Sequence, residues 1–338
     1  MTTTVNKVPV DQDTRKGPPD NVKLIAVVLG LTVVISLMLL AFVLPSINSG
    51  PHELKFGVAG PGPAVEQIEN GLTAAQPDAF DVQSYDDEAA VRTAIEHRDI
   101  VGGIVVTEQG PTMLTASAGG QQIAQVLTGV ATGLGQQTGA PVPVEDVVPL
   151  PEGDPAGVGL GMLAFPLVFG GMVPAIALVS LFPRSLSRRI VGAVSFAVLA
   201  GLVVAAIMQF GIGSFDDNYL MAAGGVAIGI AAISLTILGL ESLLGYAGLG
   251  IGAVTMMFIA NPLSGMATTS AWLPSGWGAL GQLLPPGAAG TAIRSIVYFD
   301  GHGAGHSLVV LATWIVVGVG LCVVAAMRNR SEPSGARS

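Results

Sequence analysis

The chain has 338 residues, 51% hydrophobic and 11% charged, with a net charge of −9 and a mean hydropathy of +0.66. Soluble globular chains carry about 25% charged residues, so a purely water-soluble fold is excluded. With one cysteine, Cys322, an intrachain disulfide framework is excluded as well.

The amino terminus is polar, carries Lys7, Arg15 and Lys16, and has the breaker run Gly17-Pro18-Pro19. Residues 1–23 therefore read as a disordered cytoplasmic tail. Residues 24–44 form the first predicted transmembrane helix. Its apolar core is too long for a signal peptide and no A-x-A site follows, so it reads as a signal anchor. Basic residues before it and acidic ones after it orient it amino-terminus inside.

Residues 46–155 are read as an extracytoplasmic α/β domain with 15 acidic and 3 basic side chains (Lys55, Arg92, Arg98). Such acidity excludes nucleic acid as a partner and suits solubility, or a cationic partner. Strands are predicted at Leu54–Val58, Phe80–Ser84, Ile100–Thr107 and Thr112–Ser117. Helices are predicted at Ala64–Ala75, Asp86–His97 with Asp86 as cap, and Gln121–Gln136. Gly60-Pro61-Gly62-Pro63 sits where a phosphate loop would lie but lacks the required pattern, so it reads as a turn. The proline- and acid-rich stretch Ala140–Pro155 reads as a linker back to the bilayer.

From Gly157 to Met327 only Arg184, Arg188, Arg189, Asp216, Asp217, Glu241, Arg294 and Asp300 are charged. A hydrocarbon core of about 30 Å needs about 20 helical residues, and lipid leaves no other way to pair the backbone. Five spans are predicted within 157–327: Gly157–Phe182, bent or interrupted by Pro166 and Pro174; Ile190–Gly211; Tyr219–Leu240; Leu243–Ile259; and Ser307–Met327. Gly157/Gly161, Gly225/Gly229 and Gly248/Gly252 have helix-packing spacing. The segment 261–305, with Trp272 and Trp277, reads as short helices at the outer membrane interface. Arg184, Arg188 and Arg189 lie in a short inner loop, and 328–338 form a second cytoplasmic tail. The fold class is thus a membrane all-α bundle of six transmembrane helices with a small α/β domain inserted between helices 1 and 2. Multi-pass placement in the plasma (inner) membrane follows, with both termini cytoplasmic and the lipid bilayer as the first partner.

Glu241 is the sharpest single charge: it lies at a span's inner edge, where it acts either in coupling or as a structural partner of water or an inner-loop arginine. In Leu284–Gly301, Pro285 and Pro286 can start a helix running to Tyr298. Arg294 would be its only charge, free to pair with Asp300 beyond the helix or to snorkel to lipid phosphate. Asp216 and Asp217 read as a turn. His302 and His306 are four apart, but Gly303, Ala304 and Gly305 between them favour a loop over a metal site. No G-x-S-x-G, H-E-x-x-H or Walker lysine is present, and all four lysines precede residue 56. No catalytic residue, metal or cofactor is expected, and the chain does not read as an enzyme or as a P-loop ATPase.

One span, an α/β domain, then five spans with Leu284, Pro285 and Arg294 before the last, and Tyr298 and Phe299 after, resembles the phage-infection-protein (YhgE/Pip) and EsaA-like group of actinobacterial type. That group is related to the membrane subunits of type-2 ABC exporters. The resemblance implies a permease-like fold, a homodimer, a separate ABC ATPase subunit and export of a lipid, drug or envelope component. The short loop Pro183–Arg189 and the missing amino-terminal amphipathic helix depart from such exporters. The alternative is a non-transporting envelope scaffold or secretion accessory whose acidic external domain binds a partner.

Overall fold

The computed structural model describes residues 19–75, 78–216 and 218–331. Lys7, Arg15, Lys16, Asp217 and most of both predicted tails lie outside the described residues.

Helix α1 (Asp20–Ile47) precedes a five-stranded sheet built from β1 (Leu54–Ala59), β2 (Phe80–Tyr85), β3 (Gly102–Thr107), β4 (Gly110–Thr115) and β5 (Val144–Asp146). The strand order is β2-β1-β3-β4-β5. β1 runs parallel to β2 and β3, β4 is antiparallel to β3, and β5 is parallel to β4. The stretch expected to be pure linker thus contributes an edge strand, because Pro143 O and Thr115 O accept from Met113 N and Val147 N on either side of it.

Helices cover both faces of the sheet. One core joins α3 (Glu88–Glu96) through Val91 and Ile95 to Val105 and Leu114; the other joins α2 (Gly62–Ala75) and α4 (Gln121–Thr138) to Phe56, Val58, Ile104 and Met113. β3 is pinched between these layers, and the glycines that open it are the reason it fits. A Cβ on Gly103 would lie 2.6 Å from Val91 Cγ1, and one on Gly102 would meet Leu127. The α3 cap is Asp87, whose Oδ1 accepts from Ala90 N at 2.8 Å; Asp86, the expected cap, lies one residue too early to reach an orphan amide.

Five helices are long and apolar enough to span a membrane: Asp20–Pro45, Val158–Leu181, Leu186–Ile212, Tyr219–Leu244 and Gly305–Arg328. They are compatible with a polytopic membrane protein. The second is broken into α5 (Val158–Met162) and α6 (Ala164–Leu181). Pro166 lacks the N–H that would bond Met162 O, and Pro174 lies inside α6. The third is α7 (Leu186–Ala206) with a π-helical end, Ile207–Ile212. The expected fifth span is shorter: α9 (Tyr246–Val254) and a π-helical turn, Thr255–Ala260, give about 22 Å of helix at 1.5 Å per residue. Glycine costs the helix form about 1 kcal/mol in an interior, and Gly245, at φ 62, ends α8 (Tyr219–Leu244) and starts α9.

α8 is the hub, with 67% of its most apolar window buried, against none for α1. It packs on α6, α7, α9, α11 (Pro285–Tyr298) and α12 (Gly305–Ser331). Small residues set the spacing: a Cβ on Gly229 would come within 2.8 Å of Ala289 Cβ on α11, and one on Gly239 within 2.5 Å of Gly318 O on α12. The interfacial segment holds a 3₁₀ turn at Ser270–Trp272, α10 (Trp277–Gln282) and α11.

Candidate functional site

α11 begins where the sequence requires. Pro285 and Pro286 occupy its first turn, where missing N–H groups are orphans anyway. The helix is buried along nearly its whole length, with Ala288, Ala289, Ala292 and Ile293 in the core of the bundle. It is also the element on which the α/β domain rests.

Arg294, 7% exposed, neither pairs with Asp300 nor reaches a lipid surface. Its Nη1 donates to Gly119 O in the α/β domain at 2.7 Å, and its Nη2 donates to Met266 O at 2.9 Å. A planar guanidinium can hold two carbonyls from separate segments at once, which a lysine cannot do in that geometry. Asp300 is exposed at φ 49 and accepts from Asn218 Nδ2 at 3.5 Å. Its turn continues through Gly301 at φ 85.

A second arginine meets α11 from the domain side. Arg98 Nη1 donates to Ser295 Oγ at 2.5 Å and to Thr291 O at 3.4 Å. Its guanidinium carbon sits 5.1 Å from the centre of the Phe299 ring, a cation–π arrangement. Burial alone pulls the Arg98 pKa down to about 10. Beside it, His97 and His302 stack with ring centres 4.1 Å apart, so each histidine of this pair comes from a different half of the protein. His306 lies in the first turn of α12. Among the described residues, no group of three potential metal ligands forms.

Tyr298 closes the same face from the bundle. Its hydroxyl donates to Ser214 O at 2.9 Å, and its ring meets Phe215 edge-on at 6.5 Å. Phe299 enters the α3-side core of the domain, while Trp272 packs on the α2/α4 side and accepts at its carbonyl from Gly50 N at 3.0 Å. Arg294 and Tyr298 therefore lie on one seam and Asp300 flanks it, while Pro285 starts α11 at its other end.

Glu241 is elsewhere, in the last turn of α8. Arg189 Nη1 donates to Glu241 Oε2 at 2.5 Å, with side chains 9% and 12% exposed. Arg189 also donates from Nε to Phe182 O at 2.9 Å and from Nη2 to Pro183 O at 2.7 Å. The structural-partner reading of Glu241 has its arginine. Three acceptors, Phe182 O, Pro183 O and Glu241 Oε2, thus converge on the one guanidinium of Arg189 in α7, which ties the loop Phe182–Ser185 to α8.

Arg98, Gly119 and Ser295 carry no local signal in the sequence. Arg98 stands 197 residues from its hydroxyl partner, and only its place just past a helix end, at φ 65, marks it as unusual. Compared with family models, curated proteins and solved structures, the chain matches none of them.

Proposed function

We propose that the chain is a permease-like subunit of a membrane exporter for a lipid, drug or envelope component, working with a separate ATPase chain. The observation that carries this reading is the double membership of α11. Its small apolar face packs on the hub helix α8, while Arg294, Thr291 and Ser295 bond with the α/β domain. A displacement of the domain is therefore a displacement of α11, and through it of the bundle core. Such a link suits a gate at the outer mouth of a transport path. At the opposite end the Arg189–Glu241 pair holds the short loop where an ATPase would push.

A scaffold reading is favoured by one feature. Between α2 and α4 lies an apolar cavity of about 710 Å³, lined by Ile68, Leu72, Phe80, Val126, Val130 and Leu134, on the side of the sheet away from α3. It would take an apolar partner segment without any transport. Purifying the full chain from its native membrane and identifying the co-purifying chains separates the two. A stoichiometric ATPase supports the exporter, and a stable envelope partner without one supports the scaffold. Export that is unchanged in Arg294→Ala counts against the gate.

A further inference from the structure

Among the five membrane-length helices, α1 alone has no part of its apolar window buried. It meets the π-helical turn Thr255–Ala260. Just beyond that turn a cavity of about 330 Å³ lies between the end of α1, the start of α6 and the segment Asn261–Leu273. That volume is in the range of small-molecule sites, about 300–1,000 Å³. Phe42, Phe165 and Trp272 supply aromatic walls, and no charged side chain lines the cavity among the described residues.

The segment Asn261–Thr269 is non-helical backbone beside the ends of membrane-length helices. Such backbone is tolerated at membrane depth only where it is buried in protein or lines a cavity. Much of it is paired accordingly: Asn261 N donates to Met256 O at 3.1 Å, Ser264 N to Asn261 O at 3.1 Å, and Gln282 Nε2 to Ser264 O at 3.3 Å. The side chain of Asn261 is different. The residue is 6% exposed and lines the cavity, yet its Oδ1 has no hydrogen-bond partner among the described residues. Buried polar atoms are nearly always satisfied, so this oxygen is an acceptor for a donor that the described chain does not supply.

In a bilayer the exposed sides of α1 are covered by lipid, and the cavity at its end is filled from the same source. An uncharged wall disfavours an ionised headgroup, while a carbonyl oxygen calls for a neutral donor. We propose that the cavity binds a neutral glycerolipid alcohol, its acyl chain against Phe42, Phe165 and Trp272 and its hydroxyl donating to Asn261 Oδ1. The site rests on the membrane placement of α1 and does not depend on the transport reading, because binding is measured without flux.

The test uses the full-length chain, delipidated in an amine-oxide detergent that brings no hydroxyl, with native mass spectrometry to count bound lipid. The probes are dioctanoylglycerol, its 3-acetyl ester, which lacks the donor, and dioctanoyl phosphatidic acid, which adds charge. One dioctanoylglycerol per chain is expected, held about tenfold tighter than either other probe, as the loss of one buried hydrogen bond implies. Asn261→Leu should bind the alcohol and the ester alike. Ala267→Phe fills the cavity from an exposed position on its wall and should remove most of the binding, so it decides the matter if Asn261→Leu does not fold. No saturable binding of the alcohol, an ester or phosphatidic acid bound as tightly, or a folded variant that binds as the wild type does, overturns the proposal.

Discussion

The two ends of the bundle treat a buried arginine in opposite ways. At one end Arg189 faces Glu241, and the pair is electrically neutral with both partners nearly buried. At the other end Arg98 and Arg294 are held by carbonyls, a hydroxyl and an aromatic ring, with no carboxylate partner in hydrogen-bond reach among the described residues. A neutral pair is a closed arrangement: its charges satisfy each other and it clamps a loop. An arginine bonded to dipoles keeps its full charge, with no carboxylate to offset it at the seam. The difference separates a self-neutralised clamp from a charged seam.

The comparison is broken most strongly at the neutral end. Glu241→Ala leaves Arg189 buried with carbonyls alone, and removing one partner of a buried pair costs about 3 kcal/mol or more. A clear fall in melting temperature in detergent is expected. The double variant Arg189→Leu/Glu241→Leu should recover most of it, since apolar replacement of the whole pair is often neutral. A Glu241→Ala protein as stable as the wild type would show that the pair clamps nothing.

At the seam, Arg294→Ala deprives the carbonyls of Gly119 and Met266 of a charged donor. The expected cost is about 2 kcal/mol, concentrated at the seam. Faster amide exchange across Ser117–Leu127, with helix α12 unchanged, would display it. Arg294→Lys should recover less than half, because one ammonium cannot reach both carbonyls along a planar fork. Uniform exchange changes along the whole chain would mean that Arg294 supports the fold rather than the docking.

Packing offers a third test. Gly229→Val drives a branched side chain into Ala289, whose Cβ would already lie 2.8 Å from a new Cβ. Overpacking of this kind costs about 1–3 kcal/mol. Because α11 would be pushed off α8, crosslinking between cysteines placed at Ala222 and Ile296 should slow. Gly224→Val, where a Cβ meets nothing within 4 Å, is the control and should melt as the wild type does.

The smallest effect lies on the domain surface. Arg92 bridges Glu88 and Glu145 and ties α3 to the edge strand β5. The Arg92 guanidinium holds the Glu145 carboxyl below its ordinary range. A depressed carboxylate contributes stability above its unfolded pKa, near 4, and loses it as pH falls through the lower folded value. Because Glu145 is half exposed, the contribution is about 0.5 kcal/mol or less. Exchange at Met113 and Val147 should accelerate in acid, and Glu145→Gln should remove most of that pH dependence.

Chain order, helix type and the α/β pattern were legible because apolar periodicity and breakers act locally. The break in the Val158–Leu181 helix follows from Pro166, and α11 starts at Pro285 for the same steric reason. Local signals misjudged the Asp86 cap by one residue and missed β5, because an edge strand of three residues is decided by its neighbour's free carbonyls. The expected pairing of Arg294 with Asp300 failed on geometry. Six residues separate them in sequence, but Arg294 is taken by the carbonyls of Gly119 and Met266, and Asp300, in a positive-φ turn past the helix end, accepts from Asn218.

The amino-acid sequence by itself determined the apolar helices, the acidic character of the α/β domain and the place of α11, since these depend on residue type and short spacing. Only the tertiary structure decided which charges meet. Arg189 finds Glu241 across 52 residues and Arg294 finds Gly119 across 175, and nothing local in a chain encodes contacts that form when distant surfaces close over a shared core.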